Sequence, residues 1–426
     1  MTDTSHAFHV MAKPAGSACN LHCDYCFFLK KEKLYPGSNF RMSHEVHEAY
    51  IRQLFEAHKV PQVTVAWQGG EPTLMGLDFF RHSLELQKHY AKPGTQIENT
   101  FQTNGILLDY NWCRFFHENN FLIGLSMDGP KELHDFYRKD TGGHGTFEKV
   151  MKSAGLLQEH KVEFNILCTV NSKNGSHPLE VYRFFRDELK AQYIQFIPIV
   201  ERDNESGFQE GNRVTDRSVR PDQWGHFLIK IFDEWVKRDV GQTFVLNFDG
   251  VLAGWIGRAG TICIFGPTCG QGVALEHNGD LYSCDHFVEP DYYLGNILKT
   301  PMSELVDSEK QRKFGQDKRD NLPQFCRKCD FLSACNGECP KNRFVETSDG
   351  EQGLNYLCEG FKAFFKHSDR AMKIMAGLIQ KGRLAEEVMT LIEKKENGGE
   401  NPSMKQGRNE FCFCGSGVKF KKCHGK

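Results

Sequence analysis

The sequence of 426 residues predicts an α/β fold in which parallel strands and their connecting helices form a partial (β/α)6 barrel. Short segments rich in β-branched and aromatic residues alternate with amphipathic segments of helical period through about the first 240 residues. This alternation favours a parallel sheet with right-handed crossovers. Six such units are two fewer than a closed eight-stranded barrel contains, and an open doubly wound sheet is the competing architecture.

Six segments have the composition of strands. The predicted strands are 7–12, 62–67, 96–102, 121–127, 162–170 and 192–200. Between them lie segments with apolar residues at helical spacing, such as "SHEVHEAYIRQLFEAH" (43–58) and "HPLEVYRFFRDELK" (177–190). We expect these helices to supply the crossovers of the parallel sheet.

The pattern changes after residue 245. Glycines and cysteines punctuate short segments there, so 246–375 has little core of its own and needs metal to hold a fold. Helical sequence and a polar, linker-like run follow in 376–408. The predicted domains are a barrel (1–245), a cysteine-rich extension (246–375), a helix with a flexible linker (376–408) and a small terminal unit (409–426).

Composition and charge exclude several classes of protein. Hydrophobic residues make up 39% and charged residues 25% of the chain, which is typical of a globular fold. The formal net charge of -2 provides no overall field for nucleic acid or an acidic membrane. No apolar run reaches the roughly 18 residues of a membrane helix, and "MTDTSHAFHVMAKP" lacks the layout of an export signal. We therefore expect a cytoplasmic protein without a membrane partner.

Sixteen cysteines are unusual for a cytoplasmic chain, because disulfides are rare there and clustered cysteines indicate metal binding or catalysis. Only Cys113 and Cys168 stand alone, and we interpret them as small buried hydrophobic residues. The others form four groups: 19, 23 and 26; 263, 269 and 284; 326, 329, 335, 339 and 358; and 412, 414 and 423.

The first group has the spacing C-x3-C-x2-C in "SACNLHCDYCFF" (17–28). Four thiolates close a tetrahedral zinc site or complete the ligands of a cubane iron–sulfur cluster. Three thiolates leave one iron of such a cluster open to a substrate or cofactor. On spacing alone, a zinc site completed by His22 or by a later cysteine is the alternative.

This loop resembles the hallmark of the radical S-adenosylmethionine (SAM) enzymes, in which it also follows the first barrel strand. The resemblance implies a [4Fe–4S] cluster on Cys19, Cys23 and Cys26. In that family SAM chelates the open iron, and one electron from the cluster splits SAM to methionine and a 5′-deoxyadenosyl radical. Segments after later strands match as well: "WQGGEP" (67–72), "SMDGP" (126–130), "HDFYRKDTGGHGTF" (134–147) and "FIPIV" (196–200).

The resemblance also implies which residues contact SAM at the carboxyl ends of the strands, where such barrels bind ligands. The Gly-Gly-Glu backbone receives the amino group, Arg138 is a candidate for the carboxylate, and Ser126 matches a ribose-binding serine. Taken alone, the two glycines would indicate only a turn that permits close backbone approach. The implied cofactor contacts are Tyr25, Gly69, Gly70, Glu71, Ser126, Arg138 and Ile199.

The segment 263–358 resembles SPASM, a twin-cluster extension of radical SAM enzymes that modify peptides. "GPTCGQGVALEHNGDLYSCDHF" and "CRKCDFLSACNGECP" fit its cysteine pattern. The resemblance implies two [4Fe–4S] clusters with interleaved ligands, and a pair of zinc sites is the alternative on spacing alone. The implied ligands are Cys263, Cys269, Cys284 and Cys339 for the first auxiliary cluster, and Cys326, Cys329, Cys335 and Cys358 for the second.

Within this extension, "SCDHF" is most similar to the anaerobic sulfatase-maturating enzymes, which oxidise an active-site Cys or Ser of a sulfatase to Cα-formylglycine. The resemblance makes Asp285 the general base that takes the S–H or O–H proton after a Cβ hydrogen has been removed. In a structural role, Asp285 would only cap a turn or orient a ligand, and His286 is interpreted as structural. Phe28 departs from the family, whose members can carry a substrate-lining tyrosine there.

The tail "CFCGSGVKFKKCH" has three thiols and one imidazole, enough for a closed zinc site. It resembles the SEC-C knob, and the implied zinc ligands are Cys412, Cys414, Cys423 and His424. Four lysines make this knob basic, which suits an acidic or RNA-bearing partner such as an export chaperone or the ribosome. The alternative is a solvated charged tail clipped around zinc.

Together these features predict a radical SAM sulfatase maturase with three [4Fe–4S] clusters, SAM and one Zn2+. Its expected partners are an unfolded sulfatase segment as substrate and flavodoxin or ferredoxin as electron donor. The nearest alternative is another SPASM peptide-modifying enzyme, such as a thioether-crosslinking maturase. A metal scaffold or electron carrier without catalysis is the alternative from a different class.

Overall fold

A computed structural model describes residues 7–258 and 262–396, together with Lys419 and Lys422. The strands are β1 His9–Ala12, β2 Gln62–Trp67, β3 Gln96–Thr103, β4 Phe121–Ser126, β5 Phe164–Val170, β6 Tyr193–Pro198, β7 Phe244–Val245, β8 Gly272–Leu275, β9 Asp280–Tyr282, β10 Tyr293–Asn296, β11 Arg343–Glu346 and β12 Gln352–Asn355. The helices are α1 His44–Ala57, α2 Leu77–Tyr90, α3 Tyr110–Glu118, α4 Lys131–Tyr137, α5 Phe147–Glu159, α6 Pro178–Arg183, α7 Pro221–Arg238, α8 Leu246–Ile256, α9 Met302–Val306, α10 Glu309–Asp320, α11 Gln324–Arg327, α12 Leu332–Cys335, α13 Cys358–Gln380 and α14 Glu387–Glu396.

Shorter helical segments lie in the connections. The 3-10 segments are Leu29–Leu34, Pro72–Met75, Asn174–Ser176, Cys263–Phe265, Asp285–Phe287, Pro290–Tyr292 and Pro340–Asn342. A single π-helical turn, Phe184–Glu188, follows α6.

Strands β1 to β7 lie side by side in chain order and pair in parallel. A doubly wound sheet reverses its strand order at a switch point, so the sequential order identifies the barrel type of sheet. The six predicted strands therefore lie in the sequential, parallel order that was predicted for a partial barrel. The curved sheet is not closed into a ring, because β7 has no strand beyond it within the described residues.

The sheet continues on the other side of β1 with three strands that the barrel prediction did not include. Strand β8 pairs in parallel with β1, and β9 and β10 follow in antiparallel order. The ten-stranded sheet is thus mixed. Because β8 to β10 belong to the cysteine-rich half of the sequence, that half is joined to the barrel by backbone hydrogen bonds.

Helices cover the sheet through apolar faces that the sequence pattern anticipates. In α1, Ser43 caps the first turn by accepting a hydrogen bond from the Val46 amide at 3.2 Å, which explains where the helix starts. A cluster of aromatic rings packs between the helices and the strands. It contains Trp67, Phe80, Phe101, Trp112 and Phe116.

Helix α13 packs against α7. The helices approach closely at Gly225 and Gly360, where a Cβ on Gly360 would overlap the Pro221 carbonyl oxygen. Rings such as Trp224 and Phe361 fill the space beside this crossing. None of the helices described here combines the length and apolar character required to cross a membrane.

Candidate active site

A cavity of about 270 Å3 opens at the carboxyl ends of the parallel strands. The loops or last residues of β1 to β6 all contribute to its wall, as expected for ligand binding in such barrels. Of the residues predicted from sequence, the wall includes Cys19, Cys23, Cys26, Tyr25, Gly69, Gly70, Ser126, Arg138, Ile199 and Asp285. The predictions for one site therefore converge on one cavity.

The cysteine loop is fixed by the turn after β2. The Gly70 amide donates to the Gly16 carbonyl at 2.8 Å, and the Glu71 amide donates to the Ala18 carbonyl at 2.9 Å. A Cβ on Gly70 would overlap the Ala18 backbone, directly before Cys19. Gly70 therefore allows the turn after β2 to approach the backbone of the cysteine loop closely.

The three thiols of this loop are close enough to influence one another. The pKa of Cys19 is raised to about 12, chiefly by burial and in smaller part by the charges of Glu71 and Cys26. Burial also raises the pKa of Cys23 to about 12, against the opposing effect of Arg138. Metal binding would overcome these raised pKa values, because a thiol that coordinates a metal is deprotonated outright. Three soft donors with one shared environment fit an iron–sulfur cluster.

Arg138 belongs to a buried network that ties β4 and β5 to the cysteine loop. Its Nε lies 3.0 Å from Asp128, whose carboxylate also accepts from the Tyr25 hydroxyl and, at 2.8 Å, from Thr169. Burial alone would raise the pKa of Asp128, but the charge of Arg138 outweighs it and holds that pKa below its usual range. Tyr25 is therefore locked by its hydroxyl while its ring faces the cavity.

The predicted Glu71 and Ser126 occupy different positions relative to the cavity. The Ser126 hydroxyl lies in the wall and accepts from the Gln102 side chain at 2.9 Å. The Glu71 side chain lies behind the wall, fully buried, and accepts from the Thr73 and Asn104 amides. Burial raises its pKa against these hydrogen bonds. Glu71 thus fixes the ends of β2 and β3.

Ile199 packs on the same side as the cysteine loop. It contacts the small apolar cluster formed by Leu21, Cys23 and Tyr25. Its amide donates to the Val170 carbonyl at 2.8 Å, which holds the chain directly after β6. The predicted adenine-edge residue therefore lies beside the predicted cluster loop.

Asp285 faces the cavity from the 3-10 segment after Cys284 and forms an ion pair with Lys13. Their Nζ–Oδ1 distance is 2.7 Å, and the Lys13 side chain is fully buried. Lys13 also lies 3.6 Å from Glu276, and its ammonium sits 4.2 Å from the centre of the Phe28 ring. The Asp285 carboxylate is thereby held beside a buried cation rather than used to cap its own turn.

The eight cysteines of the extension lie near one another in two sets. The pKa of Cys284 is raised to about 12, chiefly by burial and in smaller part by its neighbours Asp285, Cys263 and Cys269. Burial likewise raises the pKa of Cys335 to about 12, and there the neighbouring thiols are Cys358 and Cys326. Burial also raises the pKa of Cys339 and Cys358. The neighbouring thiol that acts in the same direction is Cys284 for Cys339, and Cys329 is one such neighbour of Cys358. These neighbours follow the interleaved pattern that the family resemblance implied.

All thirteen cysteines in the described ranges are free thiols. Among the same residues, no three His, Cys, Asp or Glu side chains are spaced to hold a single metal ion. In a cubane cluster each thiolate binds a different iron, so its ligands need not converge on one point. The predicted zinc ligands Cys412, Cys414, Cys423 and His424 lie outside the described residues.

Sequence reasoning missed several residues of this site. Asp128 lies in the "SMDGP" segment, but only Ser126 was assigned from it. Lys13 directly follows β1, and Thr169 lies near the end of β5. The rule that ligands bind at the carboxyl ends of parallel strands would have drawn attention to all three. His286, interpreted as structural, lies in the wall, with Nδ1 3.9 Å from the Cys339 sulfur.

Comparison with known proteins extends these observations. Residues 14–185 match the family described as the radical SAM superfamily, 263–330 match an iron–sulfur cluster-binding domain named SPASM, and 408–426 match the SEC-C motif.

Three similar proteins cover most of the chain. A serine-type anaerobic sulfatase-maturating enzyme of Bacteroides thetaiotaomicron is 48% identical over 377 residues, which is 86% of this chain and 91% of that protein. A cysteine-type anaerobic sulfatase-maturating enzyme of Clostridium perfringens is 35% identical, covering 84% and 95%. The solved structure of native anSMEcpe with bound AdoMet and Cp18Cys peptide has a TM-score of 0.78 at 35% identity, covering 87% and 99%. The chain therefore belongs to the anaerobic sulfatase-maturating enzymes of the radical SAM superfamily.

Proposed function

We propose that the protein oxidises an active-site Cys or Ser of a sulfatase to Cα-formylglycine without using oxygen. The single observation that carries this proposal is the shared cavity: three thiols form one wall and Asp285 faces the same space. A substrate side chain between them would have its Cβ–H toward the SAM side and its S–H or O–H toward the carboxylate. The relatives named above, which include serine-type and cysteine-type enzymes, support the same reaction.

Three [4Fe–4S] clusters and SAM are the cofactors of this proposal. Cys19, Cys23 and Cys26 would hold the first cluster, and the two thiol sets of the extension would hold the others. A reduced cluster on these three thiols would supply, with SAM, the 5′-deoxyadenosyl radical chemistry that removes a hydrogen atom from the substrate Cβ. An external one-electron donor such as flavodoxin or ferredoxin would restore that cluster for each turnover.

The residues around the cavity would bind and orient SAM. Arg138 lines the wall with a guanidinium that is already paired with Asp128, so it offers a fixed positive charge to a carboxylate. Ser126, oriented by Gln102, presents a hydroxyl to a ribose. Tyr25 and Ile199 form an apolar surface suited to a flat base. The short loop at Gly69 and Gly70 keeps its backbone accessible to the cavity.

Asp285 would take the one proton that the oxidation releases. Removing one hydrogen atom from Cβ, one proton from the thiol or hydroxyl, and one electron converts the side chain to a thioaldehyde or aldehyde; hydrolysis of the thioaldehyde completes the Cys reaction. The ion pair with Lys13 holds the Asp285 carboxylate in place in the cavity wall. Phe28 covers Lys13 with its ring and contributes no hydroxyl to this side of the cavity.

The terminal knob and the location of the enzyme are parts of the same proposal. Zn2+ on Cys412, Cys414, Cys423 and His424 would form a basic knob that docks on an export chaperone or the ribosome and brings the enzyme to unfolded sulfatases. A cytoplasmic location suits this role, because sixteen cysteines stay reduced there.

Mass spectrometry of a peptide tests the proposal directly. Anaerobically reduced enzyme is incubated with SAM and a synthetic sulfatase segment that carries the target Cys or Ser. An aldehyde at that residue, formed together with 5′-deoxyadenosine, is the expected result. A crosslinked peptide would instead identify a thioether-forming maturase, and release of no deoxyadenosine would identify a metal scaffold or electron carrier.

A further inference from the structure

A buried lysine lies against the first thiol set of the extension. Lys318 is only 1% exposed, on the last turn of α10. Its ammonium donates to the carbonyl oxygens of Cys263 at 2.6 Å and Ile264 at 2.9 Å. A lysine is almost never fully buried without a partner, and both of these partners belong to the backbone at one predicted ligand.

Helix α10 holds this lysine firmly in place. The Cys269 amide donates to the Gly315 carbonyl at 3.0 Å, and a Cβ on Gly315 would approach the Cys269 carbonyl oxygen to 2.5 Å. Gly315 and Lys318 are three residues apart and thus lie on the same face of the helix. The helix therefore places Lys318 over the chain segment that joins Cys263 to Cys269.

The thiols around this ammonium belong to one set. Burial lowers the pKa of Lys318, while Cys269, Cys339 and Cys263 act in the opposite direction. Burial raises the pKa of Cys263 and Cys269, and the charge of Lys318 opposes that rise. The Lys318 ammonium therefore lies near three of the four thiols that would hold the first auxiliary cluster.

Two other charged side chains lie in the same region, the half-buried Arg343 and the buried Glu338. Arg343 faces Cys326 of the second set as well as Cys269 of the first, and it donates to several backbone carbonyls, including that of Lys318. Glu338 is 2% exposed and accepts from the Asn342 and Asn355 side chains at 3.1 and 2.6 Å. It opposes the effect of Lys318 on the Cys263 thiol.

We propose that Lys318 is a positioning residue whose charge raises the reduction potential of the first auxiliary cluster, so that this cluster accepts the electron released by the substrate radical. The proposal rests on the proposed function, which assigns a cluster to these thiols. Net charge, hydrogen bonding and exposure set the potential of iron–sulfur clusters. Reduction adds one negative charge to the cluster, and a fixed cation in a site of low dielectric constant stabilises that state. The accompanying proton goes to Asp285, so the electron and proton leave the substrate on separate paths.

The test is a potentiometric titration of the full-length holoenzyme without peptide substrate, followed by EPR spectroscopy. In Lys318→Met, one auxiliary cluster should become harder to reduce, with its ratio of reduced to oxidised form at a fixed potential falling about tenfold, or ~59 mV for one electron. Lys318→Arg should retain the potential of the parent. Lys313→Met is the matched control, because Lys313 lies on the same helix with its side chain exposed, and it should shift nothing. An unshifted potential in Lys318→Met overturns the inference.

A second variant gives a result of opposite sign. Glu338→Gln removes the opposing charge and keeps an oxygen for the two asparagines, so the same potential should rise. If Lys318→Met loses iron and its potential cannot be measured, Glu338→Gln provides the test. An unchanged or lowered reduction potential in Glu338→Gln overturns the inference. These reduction potentials are measured without substrate, so the expected shifts do not depend on sulfatase maturation. An enzyme that matures sulfatases but shows no shift in potential would contradict this inference and leave the proposed function standing.

Discussion

Asp285 illustrates how much of this site depends on a contact between residues that are remote in sequence. Its carboxylate lies in the cavity wall, and its partner Lys13 follows the first strand of the barrel. The Phe28 ring and the Glu276 carboxylate complete the environment of that lysine. Nothing in the local sequence "SCDHF" indicates this cation, so the family resemblance could assign a role to Asp285 but not its electrostatic setting.

Replacing Asp285 separates the two halves of the proposed reaction. In Asp285→Asn the proton acceptor is lost while the thiols at 19, 23 and 26 are untouched. We expect formylglycine production to fall by about 10²- to 10⁴-fold, the usual contribution of a general base, while 5′-deoxyadenosine is still released. Mass spectrometry and chromatography measure the two products side by side. Asp291→Asn, at an exposed position on the next turn, should leave both unchanged; equal product yields from Asp285→Asn and the parent would contradict the role of this residue.

The buried ion pair between Arg138 and Asp128 leads to a prediction about the free energy of unfolding. Arg138→Met leaves the carboxylate of Asp128 buried without its cation, which typically costs about 3–5 kcal/mol. Chemical denaturation under anaerobic conditions measures this loss. Arg52→Met, which breaks only an exposed pair with Glu56, should cost less than about 1 kcal/mol. A similar effect of both substitutions would contradict the buried network.

The same pair gives a pH dependence with a definite sign. The pKa of Asp128 is held below its unfolded value, which is about 3.9. The stabilisation is therefore complete above that value and is lost as the pH falls through the lower pKa of the folded state. In Asp128→Asn this acid-dependent part of the unfolding free energy should disappear. An identical slope of stability against pH in the two proteins below about pH 4 would contradict this assignment.

At the scale of elements, the turn after β2 and the cysteine loop act as one unit. Gly70→Ala would push a methyl group into the Ala18 backbone, so the loop must move and its thiols lose their common position. We expect about a third of the bound iron to be lost, because one of the three proposed clusters depends on this loop. Iron analysis of the anaerobically purified protein measures the loss. Gly155→Ala, at an exposed position of α5 with nothing near its Cβ, should retain all the iron; full iron content in Gly70→Ala would contradict the argument.

The crossing of α7 and α13 depends on a glycine in the same way. A methyl group on Gly360 would overlap the Pro221 carbonyl, and overpacking of this kind costs roughly 1–3 kcal/mol. Gly377 lies further along α13 with nothing within 4 Å of its Cβ position, so Gly377→Ala should be neutral or slightly stabilising. Thermal unfolding of the two variants compares them directly. Equal stabilities would show that the helices can separate slightly without penalty.

Local pattern predicted the strands well and the sheet only in part. The segment 62–67 coincides with β2, and the other five predictions overlap their strands to within a few residues. These strands alternate buried and half-exposed side chains, a period that is visible in the sequence. The strands β8 to β10 are three or four residues each, too short for a period to be recognised. The pairing of β8 with β1 is a long-range contact that no local pattern encodes.

At the scale of the whole molecule, residues 405–426 provide a test of recruitment. Deleting them removes the proposed zinc knob and leaves every described residue of the barrel and the extension in place, apart from the isolated Lys419 and Lys422. We expect sulfatase maturation in cells to fall several-fold, because the enzyme no longer meets unfolded sulfatases efficiently. Activity on a short peptide in vitro should be unchanged. A matched loss in both assays would mean that the tail supports the fold or the chemistry instead.

The pairing of β8 with β1 has a consequence for how the chain is made. His9 to Ala12 pair with Gly272 to Leu275, so one edge of the first strand stays uncovered until almost two thirds of the polypeptide has left the translation machinery. An uncovered strand edge invites pairing with other chains, and contacts between such distant segments form slowly. Insertion of the proposed first cluster should therefore follow synthesis of β8, since the loop that would receive it begins where this late-pairing strand ends.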